Sequence, residues 1–500
     1  MSRILRQRPG ALTLVLFSTL LMTRCGGNDV VADVADDGPT PPSNGGDEES
    51  IGASGDSNGP GNSGGFGGSE NEGADGAAGA PGAPGDPLSL TREQFCAGSG
   101  PVVNVGQTGT GGAFTGDVCT GRIAEQLFRF ALCSCTNVLA AGDLATDSFD
   151  SRNGPYAPGQ AGGAVGVNND FGVMGQKRVG GTLIMAGATA MEFFGDMEIL
   201  GDLKTNGDLN FRGSTHVSRD VWVRGSLTGF GEMQIERDLH RGTGAGLPPP
   251  ADLGVGGQTF VEDFTIPKPC ACEPDQLLDI PAVVERVAHT NDNAEVGLDP
   301  NSLSSVIEFG RIEELPCGRF YLQNVAVFGD LTLRINERTA IFVGGDFNVA
   351  GDFSIDVGPE GELDLFIAGN LVLLGDTSFG NKDRPGASRI YVGNHGGPGV
   401  IDIRGDHDFV SNLYAPLATV KAMGDIEIYG SLFAGSFEGA GDIDIHYDRW
   451  ILEVGEDCGD RPPPGDVCIS SGGPCQSDDD CCEPLVCDNG SCGPLLPPIE

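Results

Sequence analysis

From Gly195 the chain runs through eight consecutive six-residue units: GDMEIL, GDLKTN, GDLNFR, GSTHVS, RDVWVR, GSLTGF, GEMQIE and RDLHRG. Gly or Arg opens each unit. An apolar residue stands third in seven of them, at Met197, Leu203, Leu209, Val221, Leu227, Met233 and Leu239. The fifth position is apolar at Ile199, Phe211, Val217, Val223 and Ile235. Alternation at two residues is strand periodicity, and a turn every six residues bends the strand before it can lengthen. The pattern predicts a mainly-β fold, a single-stranded β-solenoid (β-helix) whose stacked coils bury one narrow core. The units return as GDFNVA at 345, GDFSID at 351, GNLVLL at 369, GDIEIY at 424 and GDIDIH at 441. With three hexads per coil and coils about 4.8 Å apart, roughly 200 such residues make a rod of ~50 Å. Corner glycines supply positive φ or close backbone approach, and the aspartates cap the N–H groups of the next turn. The calcium-binding nonapeptide GGxGxDxUx is absent and Asp292 opens no EF-hand loop, so these aspartates read as structural; no metal or cofactor is expected.

Between the repeat blocks, residues 243–316 differ in character. Pro248-Pro249-Pro250 is followed by Leu277 to His289, whose apolar spacing predicts a short helix laid against the solenoid. A second helix is predicted over Arg122 to Val138, with Ile123, Leu127, Phe130 and Ala131 on one face. Such helices cap the open end of a solenoid and hide its unpaired strand edges. The expected organisation is a leader at 1–24, a disordered tether at 25–90, a cysteine-containing helical cap at 91–160, the solenoid at 161–455 and a cysteine-rich module at 465–500.

Lys and Arg number 29 against 71 Asp and Glu, a net charge of −42. A charge of that size repels phosphate backbones and anionic lipid headgroups, which argues against nucleic-acid partners. Arg3, Arg6 and Arg8 precede an apolar run from Ala11 to Met22, the pattern of an export signal and too short to span a bilayer. Residues 26–87 hold no Lys or Arg, 12 acids, 18 glycines and seven prolines, a composition that buries too little apolar surface to fold. Gly61-Asn62-Ser63-Gly64-Gly65 fits the nucleophile-elbow spacing but lies in this tether without the strand and helix that motif needs.

Cys25, closing the apolar run, resembles the lipidated cysteine of bacterial lipoproteins, although Arg24 stands where that motif takes a small residue. The resemblance implies a membrane partner through a lipid anchor. The expected location is the outer membrane with display at the cell surface, the periplasm being the alternative. Of 15 cysteines, the last six, Cys468, Cys475, Cys481, Cys482, Cys487 and Cys492, are spaced C-x6-C-x5-C-C-x4-C-x4-C. That spacing resembles an inhibitor cystine knot (knottin). The resemblance implies bridges 468–482, 475–487 and 481–492, and the staples would be the fold of so short a segment. Cys133-Ser134-Cys135 and Cys270-Ala271-Cys272 could supply four thiolates to zinc. The spacing is atypical for zinc and the envelope is oxidising, so cross-links between the two pairs are the expected outcome.

Four segments carry a further resemblance: Asp147 to Tyr156, Asn412-Leu413-Tyr414-Ala415-Pro416, Tyr429-Gly430-Ser431-Leu432 and Ile445-His446-Tyr447-Asp448. They resemble landmarks of an uncharacterised β-helical domain of pilus-assembly-like proteins and predicted bacterial lipoproteins, covering about 140–452. The hexads are also similar to those of bactofilins, which implies a capacity for self-association. The family contributes no catalytic residues.

Solenoids also host glycan lyases and hydrolases, which need clustered carboxylates. The best such cluster is Asp402, Asp406 and Asp408 beside Arg404 and His407; its structural alternative is a solvated strand and corner. The expectation is a non-enzymatic surface protein, structural or adhesive, with an extracellular protein or glycan partner. A carbohydrate-active β-helix is the alternative, and a bactofilin-like polymer the third reading.

Overall fold

The computed structural model describes residues 87–103, 121–189, 191–249, 251–404, 407–455, 485–488 and 491–494. Residues 132–448 build a parallel β-solenoid with three faces per coil. In the first block, Leu132–Ser134 lies on face I, Val138–Ala141 on face II and Leu144–Phe149 on face III. The register then steps Leu203, Val221, Leu239, eighteen residues or three hexads per coil.

The two blocks do not stack in chain order. Face I, read from one end, runs Gly318–Leu322, Arg338–Val343, Glu362–Ile367, Ser388–Val392, then residues 412–414 and 431–433. It continues directly into Leu132–Ser134, Val165–Val167, Leu183–Met185, Leu203–Thr205, Val221–Val223, Leu239–Arg241 and Thr259–Val261. These are thirteen levels. The chain enters near the middle, winds to one end at residue 261, crosses to the other end through 262–305, and winds back to the middle. The joint pairs Leu132 with Leu432, Val138 with Phe437, and Leu144 with Ile443. Inward residues such as Leu132, Leu203, Phe320, Ile390 and Leu432 are buried in one continuous core.

The hexad's opening glycine has a steric cause. At the corner between faces II and III, glycines of successive levels stack. A Cβ at Gly142 would lie 2.0 Å from Gly441 O, one at Gly231 2.1 Å from Gly213 O, and one at Gly375 2.0 Å from Gly351 O. The aspartates cap neighbouring levels. Asp208 accepts from Ser226 N at 2.7 Å, Asp220 from Asp238 N at 3.0 Å, and Asp238 from Gln258 N at 2.7 Å.

The crossing segment is a strap along face I. Cys270 and Cys272 bond to Cys133 and Cys135. Asn168 exchanges two hydrogen bonds with the backbone of Cys270, and Asn206 two with that of Ile266. Helix α1, Ile280–Ala288, is capped by Asp279 and buries Ile280, Val284 and Val287. It packs against the face I strands 318–322, 338–343 and 362–367, whose Phe342 and Phe366 rings stack, with Tyr391 stacked in turn on Phe366. This is the helix expected at Leu277 to His289. Beyond it, Asp292 Oδ2 accepts from Arg319 N at 2.8 Å and Asn293 Oδ1 from Tyr321 N at 2.9 Å. Side chains thus satisfy the edge strand where another strand would pair. Residues 87–103 add a second cover, held by the Cys96–Cys317 bond and by Phe95 under the Arg338 guanidinium.

The helix expected over Arg122 to Val138 is corrected. Only Ile123–Glu125 is a short 3-10 turn, and Leu132–Ser134 and Val138–Ala141 are strands. Leu132–Ser134 pairs on both sides, with 432–434 and with 165–167, and two ladders outweigh a helical spacing of apolar residues.

Candidate functional site

Face III carries the polar chemistry. Its corner file contributes Asp330, Asp352 and Asp376, and its outward file Thr332, Ser354 and Ser378. Together with Asp408 they line a shallow cleft of about 410 Å³ floored by Leu331, Phe353 and Thr377. The parallel register sets Thr332 beside Ser354, and Ser354 Oγ donates to Thr332 Oγ1 at 2.9 Å. The result is a column of hydroxyls beside a column of carboxylates, each repeating once per level.

The columns run on into the joint. Lys382 Nζ bridges Asp408 at 2.7 Å and Glu427 at 3.8 Å and sits 4.7 Å above the Tyr429 ring. Tyr429, Tyr156, Phe149 and His446 form a ring cluster, with Tyr156 and His446 centroids 4.0 Å apart. Asp147 is buried at the centre of this cluster. It accepts from Tyr156 OH at 2.7 Å and Gly159 N at 3.1 Å, and pairs with His446 Nδ1 at 2.8 Å. Burial raises the Asp147 carboxyl, but these hydrogen bonds outweigh it and hold the group below 3.8. Burial raises neighbouring Asp444; His446 opposes this, while the Glu427, Asp147 and Asp442 charges reinforce it. Burial also raises Tyr156 and Tyr429. Asp448, fully buried, accepts from Ser151 N and Oγ, Trp450 N and Gly386 N.

The four landmark segments therefore meet at one place. Asp147 to Tyr156 and Ile445 to Asp448 pair across the joint. Ser431 Oγ donates to Asn412 Oδ1, and Asn412 Nδ2 holds Pro385 O and Ser388 O. Their work is to lock the two repeat blocks together.

Of the carboxylates expected around 402–408, Asp402 and Asp408 stand on different faces. Asp402 stands on face II in a two-point pair with Arg404, whose Nε lies 2.8 Å from Oδ1. Asp408 stands on face III beside Lys382. Asp406 and the His407 side chain lie outside the described residues, as do Cys25, Cys468, Cys475, Cys481 and Cys482. Cys487 and Cys492 face each other in register across a hairpin, Leu485–Asp488 with Ser491–Pro494. The 133–270 and 135–272 pairs hold a strap, not a metal. Among the described residues no group of three or more His, Cys, Asp or Glu side chains is placed to hold a metal ion. Periodicity in the sequence does not reveal the hydroxyl column, because Thr332, Ser354 and Ser378 recur at 22 and 24 residues, not at the 18 of three hexads.

A family model described as "Domain of unknown function (DUF7305)" matches residues 274–454, which span the end of the strap and the second block. No curated protein matches the chain. Among solved structures, an ice-binding protein from an Antarctic bacterium of the Flavobacteriaceae is similar at 12% identity. The match covers 64% of this chain and 96% of that one with a TM-score of 0.18, too low to carry an argument.

Proposed function

We propose that this protein is an exported, lipid-anchored surface protein of structural or adhesive role, not an enzyme. Its rigid solenoid holds the cysteine-rich 465–500 module away from the cell, and face III adds a docking surface for an extended glycan. The observation that carries the reading is the repeating hydroxyl and carboxylate column of face III on a rod stapled to its strap by two disulfides. A periodic, open polar surface suits a polymer bearing many hydroxyls, because each level offers the same donors and acceptors. The open cleft leaves room for a chain longer than itself, and the long acidic tether fits a domain that must clear an envelope. The test removes residues 465–500 and, separately, replaces Thr332, Ser354 and Ser378 by Val in the full chain. Retention on whole cells or isolated envelope polysaccharide should fall in both variants with unchanged thermal unfolding. Undiminished retention in both would overturn the reading.

A further inference from the structure

Face II differs from the rest of this acidic chain. Its corner file, followed level by level through the register and the stacked glycines from Ile307 to Phe230, contains no acidic residue. Large apolar side chains stand out from it at Phe328, Leu374, Met423, Met174, Phe194 and Phe230, with Phe328 60% and Phe230 81% exposed. Among the described side chains of this file and the adjacent outward file the charges nearly balance, Asp402 and Glu438 against Arg404, Lys421 and Arg212, on a chain of net −42. A nearly neutral apolar stripe along the length of an otherwise acidic rod marks an interface.

We propose that two copies of this protein pack antiparallel through face II. Face II is the side on which two chains of −42 approach without setting their acidic columns against each other, because the Asp330–Asp352–Asp376 column turns away around the glycine corner. A two-fold axis between the Lys421 and Glu438 levels is self-complementary. Lys421 and Glu438 already pair at 3.1 Å within one chain, and the axis closes them with the partner's pair into a ring of alternating charge. The same axis sets large side chains against small or apolar ones: Met423 against Ala440, Phe194 against Ala350, Leu374 against Met174. Phe328 meets the Arg212 guanidinium, a cation–π contact. Eleven levels at about 4.8 Å and a width of about 10 Å give roughly 1,000 Å² over both copies, the size at which a specific interface begins.

Sedimentation of the full chain tests this. The wild type should form a dimer of twice the 51.6 kDa chain mass. Lys421→Glu alone and Glu438→Lys alone should each weaken it about tenfold, since attraction across the axis becomes repulsion. An equimolar mixture of the two variants should dimerise again, because each then meets its opposite, although neither regains its internal pair. A parallel packing sets Lys421 against Lys421 and predicts no weakening in the single variants. A monomer at all concentrations, a dimer indifferent to both changes, or folded variants whose mixture stays monomeric would overturn the proposal. A monomer that instead partitions onto phosphatidylcholine vesicles would assign the stripe to lipid and overturn it equally.

Discussion

Replacing Gly375 by Ala tests whether close vertical approach, rather than turn conformation, dictates the hexad glycine. The new Cβ would lie 2.0 Å from Gly351 O. A carbon–oxygen contact needs about 3.2 Å, so the two levels must part by about 1 Å at that corner. Just before the corner, Leu374 N donates to Val349 O at 2.9 Å, and just after it Phe353 N donates to Asp376 O at 2.9 Å. Parting by 1 Å breaks these bonds or displaces their strands, at about 1–3 kcal/mol for each buried group left unpaired. The expected cost is therefore about 2–6 kcal/mol. Gly397 is the control: its nearest neighbour to a built Cβ is Asn394 O at 3.9 Å, and its φ is −129°. Gly397→Ala should be neutral or slightly stabilising. A stacked array need not unfold in one step, so hydrogen exchange by mass spectrometry is the assay. Gly375→Ala should speed exchange of peptides covering 347–380 and lower the melting temperature. Exchange and melting indistinguishable from the Gly397→Ala control would refute the steric account.

Cys133–Cys270 and Cys135–Cys272 each close a 137-residue separation, so either bridge holds the strap in place of the other. Cys270→Ser alone should cost much less than the double Cys270→Ser/Cys272→Ser change, which forfeits about 4–5 kcal/mol of loop-closure stabilisation; denaturant titration of the three proteins shows this. Asp364→Ala should cost about 3–5 kcal/mol, because it leaves the buried Arg389 guanidinium, 2.6 Å from Asp364 Oδ1, without its main partner. The double change Asp364→Leu/Arg389→Met should recover most of that loss in the same titration. Asp147 is held below 3.8 in the fold, so its stabilisation is complete above about pH 5 and fades as pH falls through its lowered value. Asp147→Asn should accordingly flatten the acid limb of the stability curve below pH ~4, as acid-unfolding profiles of the two proteins will show.

Much of the fold was legible because it is local. The hexad carries its own strand, corner glycine and capping aspartate, and three hexads close a coil, as the Leu203, Val221, Leu239 register shows. Helix α1 was legible from its apolar spacing. The order of stacking was not. Asp147 pairs with His446 across 299 residues, and no periodicity links the two segments. The resemblance singled out the residues of that joint without indicating what they do. The segment around Leu132 has helical apolar spacing yet folds as strand for the same reason, since its partners on both sides are remote. The face III cleft and the face II stripe depend on which side chains align between levels. Coil lengths vary from 17 to 33 residues, so the alignment emerges only from the three-dimensional register.

The central structural claim is that the first block seats on the end of the second, leaving residues 261 and 311 at opposite ends of the stack. Spin labels at Phe260 and Ile312, both exposed, measure this directly by electron–electron dipolar spectroscopy. Twelve steps of about 4.8 Å place them about 58 Å apart. A distance under about 20 Å, as stacking in chain order requires, would contradict the account.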